Sequence, residues 1–225
     1  MWFDAWDGGT MNDAQLPRAA PMSEYEFTSD WFSKNVSVWS QIIAQLKPTR
    51  ILEIGSYEGR STCYLIESCS RDHAIEVYAI DSWEGSVELN AGAMREVEHR
   101  FDANVAIARQ RAAHPVNLEK LKKRSSRALV ELIARQANLF DFIYIDGSHQ
   151  APDVLTDSVL AFQLLRVGGV MIWDDYLWYI EQHGNQDLLN MPKMAIDSFI
   201  NNFQRKLRIL KDLPIYQLCV EKTAP

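Results

Sequence analysis

Cysteine is scarce in this chain, 3 residues of 225. Cys63 and Cys69 fall on one candidate helix and Cys219 in the last candidate strand, and none has the spacing of a metal ligand. An odd count without a spaced framework excludes a disulfide scaffold and reads as reduced thiols in a cytosolic protein. Long apolar runs are missing too. No stretch approaches the ~18 consecutive apolar residues of a membrane-spanning helix. Positive charge is in deficit, with 23 Lys and Arg against 30 Asp and Glu and a net charge of −7. Nucleic acids and anionic membranes need a basic face, so neither is an expected partner. The opening residues, Met1-Trp-Phe-Asp-Ala-Trp-Asp7, lack the cationic and apolar regions of a secretory signal. There are no internal repeats, which excludes a solenoid.

What is present is ordinary for a globular chain: 47% hydrophobic residues and enough length for a single core. Residues 1–28, with Gly8-Gly9, Pro17 and Pro21, read as an N-terminal arm, and 29–225 as a single domain. Trp31, Phe32, Val36, Trp39, Ile42, Ile43 and Leu46 recur at helical spacing and predict a core-facing helix over about 29–46. Candidate strands follow at 50–54, 75–81, weakly at 118–123, then at 140–145 and 170–173. Candidate helices fall at 59–69, 125–136, 152–165 and 193–205, and Gly168-Gly169 read as the turn into the fifth strand. The segments 207–210 and 216–220 close the chain as a strand pair. Alternation of strand and helix means an α/β fold, a Rossmann-like doubly wound sheet, mostly parallel, with one antiparallel strand near the C-terminus. Two connections are long for such a fold, the polar, helical insert 86–114 and the loop 176–191. Both are expected to form a mobile cover over a substrate.

The most informative stretch is Arg50-Ile-Leu-Glu-Ile-Gly-Ser-Tyr-Glu-Gly-Arg-Ser-Thr62. A short apolar strand ends in a glycine turn, and Gly59 opens a helix. Such a turn lets backbone approach a ligand and offers it N–H donors. Glu53, just inside the strand end, suits a cationic or amine-bearing ligand better than a pyrophosphate. The pattern Glu53-x-Gly55-Ser56-x-x-Gly59-x-Ser61 lacks the middle glycine of a dinucleotide fingerprint, since Tyr57 stands there. A second acid, Asp81, ends the next strand a little over twenty residues on, where a carboxylate can reach a ribose diol.

Further acids end the fourth and fifth strands: Asp146-Gly-Ser-His149 and Asp174-Asp175-Tyr176. Ligands of open α/β sheets bind outside the carboxyl ends of the strands. If those two strands are neighbours, about 4.8 Å apart, Asp146 converges with at least one of Asp174 and Asp175. Carboxylates that close need a compensating charge. A hard divalent cation such as Mg²⁺ supplies it, whereas the His and Cys set of a zinc site is missing.

The glycine motif resembles the first motif of class I S-adenosylmethionine (SAM) methyltransferases, in its O-methyltransferase variant. The strand-end Asp146, His149 three residues on, and the pair Asp174-Asp175 resemble the Mg²⁺-dependent O-methyltransferases of natural-product sugars, the macrocin type. The catechol O-methyltransferase branch is similar but carries lysine at the His149 position and Asp-Asn at the pair; sugar-type enzymes more often carry Glu at Asp174. The resemblance covers roughly residues 30–222. It implies that Glu53, Gly55, Ser56, Gly59 and Ser61 hold the methionine part of SAM and that Asp81 holds the ribose. Trp83 would border the adenine or serve the core, and Ser126 or Arg127 would touch the adenine edge. Asp146, also a candidate SAM contact, would hold the metal with Asp174 and Asp175. Asp146 and His149 would be the catalytic pair, His149 the base for a hydroxyl of a small-molecule substrate. Two other classes stay open: an NAD-binding oxidoreductase on the same sheet, and a non-catalytic methyltransferase-like binding module.

Overall fold

A computed structural model describes residues 25–85, 92–136 and 139–225. The first 24 residues of the arm, and 86–91 of the insert, lie outside the described residues. Seven strands form one sheet in the order β3-β2-β1-β4-β5-β7-β6. They are β1 (Arg50–Ile54), β2 (Ile75–Asp81), β3 (Val116–Lys122), β4 (Phe140–Ile145), β5 (Leu165–Trp173), β6 (Leu207–Ile209) and β7 (Leu218–Lys222). Neighbours from β3 through β5 pair in parallel, and β7 runs antiparallel to β5 and β6. One reversed strand near the C-terminus matches the sequence expectation. The central strands are near-continuous apolar runs because helices cover both their faces. One face packs α1 (Val36–Leu46), α2 (Arg60–Cys69) and α3 (Met94–Arg111); the other packs α4 (Ser125–Ala134), α5 (Ala151–Leu164) and α6 (Pro192–Phe203).

Registers place the strand ends in one row. Ile54 pairs with both Ile80 and Ile145, and Ile145 pairs with Trp173. Residues 55, 81, 146 and 174 each follow one of these, so the four terminal positions share one edge of the sheet.

Three expectations change. Helix α1 begins at Val36, after a single 3-10 turn at Ser33–Asn35, and the residues before it bend away. Trp31 is therefore 60% exposed, not core, and its ring lies 5.2 Å from that of Tyr57. Strand β5 begins at Leu165, so Gly168-Gly169 are not a turn before it but an irregularity within it, where the pairing with β4 jumps from Leu165 to Val170. A Cβ at Gly169 would stand 2.7 Å from Leu165 Cδ1 and 2.9 Å from the Asp141 carbonyl, which explains a glycine there. Finally, the described part of the insert is no added cover. Helix α3 is the β2–β3 crossover, and it buries Met94, Val97, Phe101, Val105 and Ala108.

Candidate active site

The turn after β1 carries several left-handed residues: Gly55, Tyr57 and Gly59 have φ of 86°, 47° and 80°. A Cβ on Gly55 would lie 2.0 Å from the Asp146 carbonyl oxygen, and the Asp146 N–H donates to the Ile54 carbonyl at 2.7 Å. Gly55 is thus fixed by backbone approach between the β1 and β4 ends, which presses the glycine turn against the acidic strand end. At Gly59 a Cβ would meet the Phe101 ring at 2.9 Å.

Glu53 is fully buried and accepts hydrogen bonds from the hydroxyls of Ser56 (2.7 Å), Ser61 (2.6 Å) and Thr62. Burial pushes its carboxyl up, against those three bonds. Its two oxygens are engaged by the turn and by the first residues of α2, so Ser56 and Ser61 meet Glu53 itself. Asp81 is half-buried. Its Oδ2 accepts from the amides of Ser56 (3.0 Å) and Tyr57 (2.9 Å), and its Oδ1 from that of Trp83 (2.8 Å). A carboxylate has about four acceptor sites, so Oδ1 retains one. Trp83 is 4% exposed, 5.0 Å from the Phe101 ring, and its Nε1 donates to the Tyr57 carbonyl at 3.0 Å. It backs the turn as a core side chain. The Lys123 amide donates to the Asp81 carbonyl, which sets the start of α4 beside Asp81. Ser126, half-buried, and Arg127, exposed, stand in the first turn of α4.

At the other end of the row, ligand atoms of Asp146, His149 and Asp175 all lie within 4.8 Å of one another, and all three residues are half-buried. His149 Nε2 is 2.9 Å from Asp175 Oδ2, and the His149 ring lies 4.2 Å from that of Trp178. Asp174, also from the expected metal set, is not among these converging atoms. Successive strand residues point to opposite faces. Only the left-handed turn at Asp175, φ 54°, brings its side chain round to the row. Asp174 is 8% exposed and accepts instead from Tyr144 Oη, Gln217 Nε2 (3.1 Å) and the Asp175 amide (2.8 Å). Tyr144 Oη also reaches Asp146 Oδ2 at 2.9 Å.

The electrostatics follow from crowding. Burial, then the charges of Asp174 and Asp175, push the Asp146 carboxyl well above the usual range. Burial and the charge of Asp175 raise the Asp174 carboxyl as well. Asp175 goes the other way: burial alone would raise it, but hydrogen bonds from His149 and Tyr216 outweigh that and hold it low. Two half-buried carboxylates and an imidazole with an excess of negative charge are a donor set that fits a hard divalent cation.

Sequence reasoning missed Tyr144, Thr62, Tyr216 and Gln217. Tyr144 carried a signal, since it stands two residues before Asp146 on the same strand face. Gln217 carried none, because its partner Trp39 is 178 residues away in the chain.

Residues 52–176 match a family described as "Methyltransferase domain". The O-methyltransferase hkm8 of Aspergillus hancockii is 26% identical over 166 residues, 72% of this chain, and the chain spans 58% of that relative's length. Among solved structures, the O-methyltransferase from Bacillus cereus in complex with SAH superposes with a TM-score of 0.59 at 18% identity, covering 87% of this chain and 84% of that one. The MycE methyltransferase of the mycinamycin pathway, solved with Mg, SAH and mycinamycin VI, gives 0.56 at 18% identity, covering 87% of this chain and 51% of that one. The sheet is that of the class I methyltransferases. The family match takes in more than half of the chain, and the chain belongs to the methyltransferase-domain family.

Proposed function

We propose that this protein is a SAM- and divalent-cation-dependent O-methyltransferase acting on a hydroxyl of a small molecule, a sugar or other natural product. One observation carries the reading: the glycine turn and the Asp146–His149–Asp175 cluster share one strand-end row, pressed together where Gly55 meets the Asp146 carbonyl. Support comes from hkm8, named an O-methyltransferase, and from MycE, crystallised with Mg and SAH. Three buried unpaired thiols support a reducing, cytoplasmic setting.

Within this reading Gly55, Ser56 and Gly59 form the cradle for the methionine part of SAM, and Asp81 takes a ribose hydroxyl on Oδ1. Glu53 and Ser61 act one layer back, holding the turn. Ser126 or Arg127 borders the adenine edge, with Trp83 behind. SAM supplies an electrophilic methyl group. Asp146 and Asp175 are the carboxylates for the cation, which when bound lowers the pKa of a nearby hydroxyl. His149 Nε2 lies 2.9 Å from Asp175 Oδ2, which sets the imidazole beside the two carboxylates as the base for the substrate proton. Trp178 against the imidazole limits its rotation. The rest is proximity of two held reactants.

Calorimetry should show SAH binding at 1:1, and chelation should stop methyl transfer while leaving SAH binding intact. His149→Ala should lower turnover by about 10²–10⁴ with SAH affinity little changed. Lack of SAH binding at millimolar concentration removes the reading at its base. Full activity in excess chelator would leave a metal-independent enzyme, with the His149–Asp175 pair as its base.

A further inference from the structure

Resting on the SAM reading above, we infer that Ser125 and Asp157 select adenine as the base of the cofactor. Asp157, a positioning residue, takes the Ser125 hydroxyl proton in a hydrogen bond, and the Ser125 oxygen is left as an acceptor for the exocyclic amine of the base. Ser125 is the first residue of α4 and is half-buried. Two residues before it, the Lys123 amide donates to the Asp81 carbonyl at 3.0 Å, which sets this helix start beside the residue that takes the ribose. The base hangs from that ribose. The cap of α4 is Arg124, whose side chain makes no capping bond, so the polar group behind the first turn comes from another element. It is Asp157 of α5, 2% exposed, with Ser125 as its hydrogen-bond donor. Packing alone gives this position no reason to be an acid. Asp157 Oδ1 has no hydrogen-bond partner among the described residues, and a buried carboxyl with an unmet oxygen destabilises the fold. Among the described residues, the bond from Ser125 is the one interaction that favours its charged form.

A hydroxyl carries one proton and two lone pairs. With the proton on a carboxylate, lone pairs alone face the ligand. They accept from the amine of adenine and repel the carbonyl oxygen that hypoxanthine holds at the same place. Protonation of Asp157 reverses this, because the carboxyl then becomes the donor and the serine proton turns outward. Burial, with help from the charge of Asp153 on the same helix, pushes the Asp157 carboxyl up to about 7. The elements packed against α5 are α4, α6, β4, β5 and the 3-10 turn Leu188–Asn190. Of these, α4 brings the uncharged Ser125, and none brings a charge to Asp157 among the described residues. The carboxylate form dominates above about pH 7, so selection is present there and lost as pH falls through that value.

The test is calorimetry on the full chain with SAH and with S-inosylhomocysteine, in which hypoxanthine replaces adenine. The two ligands share every other group, so titrations elsewhere in the site cancel in the ratio of their affinities, and neither base titrates between pH 6 and pH 8. At pH 8 SAH should bind about 10–100-fold more tightly, the usual weight of one hydrogen bond met in one ligand and opposed in the other. The ratio should fall toward one at pH 6. Ser125→Ala should bring it close to one at both values. Asp157→Asn, whose amide offers Ser125 a donor as well as an acceptor, should lower the ratio at pH 8 and make it independent of pH. Urea unfolding checks that each variant folds; should one not fold, the other and the wild-type pH series still decide. A merely structural role for Asp157 would leave the ratio unmoved. The inference is overturned if the two ligands bind alike at pH 8, if the wild-type ratio is the same at pH 6 and pH 8, or if either folded variant keeps the wild-type ratio and its pH dependence. Absence of SAH binding in the wild-type chain overturns the SAM reading itself, and this inference with it.

Discussion

Asp157, on α5, is 2% exposed. Its Oδ1 has no hydrogen-bond partner among the described residues. Burial pushes its carboxyl from 3.8 up to about 7, against a hydrogen bond from Ser125 and with help from the charge of Asp153. An unfolded chain releases this proton near pH 4, the folded one near 7. Between those values the folded state holds the extra proton, so stability falls as pH rises and levels off above the folded value. A shift of roughly three units corresponds to a penalty on the order of 4 kcal/mol at pH 8. Asp157→Asn keeps the shape without the charge. Urea unfolding should show the variant more stable than wild type at pH 8 by a few kcal/mol, with little difference at pH 4. Equal midpoints at pH 8 would mean that Asp157 ionises at no cost. The residue shows how chemistry and structure part in a sequence. Gly55, Asp81, Asp146 and His149 were legible because strand ends are legible. Asp157 was not, since burial of one helical position depends on α4 packing against it. Nor was the reason for Gly55, which is a backbone neighbour from β4.

Among the elements, the segment before α1 shows most plainly what periodicity misses. The described end of the arm is a strap tied across the glycine turn. Glu58, 2% exposed, accepts from the Thr28 amide and hydroxyl, both at 2.7 Å, and from Arg100 Nε at 2.6 Å. Asn104 of α3 takes the Glu26 amide at 2.8 Å and returns a bond to the Glu26 carbonyl at 3.1 Å. Strap, turn and α3 meet at one carboxylate. Glu58→Ala would strand a mostly buried Arg100 guanidinium, and losing one partner of such a pair costs about 3–5 kcal/mol. Chemical unfolding should show that loss. SAH affinity should fall as well, because the turn loses its support, and Glu58→Gln should lie between. A variant with unchanged stability would make the knot a surface contact. None of this was legible at the level of pattern. Trp31 fell on the helical period of 36–46, yet the chain bends before Ser33 and turns it outward. The glycines of β5 read as a turn because a bulge and a turn use the same residue. The strands β1, β2 and β4 were read correctly because short, mostly apolar runs between turn residues admit few alternatives.

On the scale of the whole molecule, the two long connections now separate. Helix α3 belongs to the packed layer under the turn, with Phe101 and Val105 buried beneath Gly59. The loop 176–191 does not. It leaves Leu177, Tyr179, Ile180, Leu188 and Leu189 between 41% and 59% exposed. Apolar side chains that open to water gain from any ligand that covers them. The loop is anchored at its start, where Tyr176 Oη donates to Asp197 at 2.6 Å, and it touches the cluster through Trp178 on His149. A ligand reaching His149 therefore meets Trp178. Hydrogen exchange on the full chain, with and without SAH and Mg²⁺ and then with an acceptor, should leave α3 equally protected throughout. Protection in 177–191 should rise once the acceptor side is filled, because local opening is governed by how few buried contacts a segment makes. Strong, unchanged protection of 177–191 in every state would make the loop part of the packed fold. A rise in α3 instead would restore the helix to the cover.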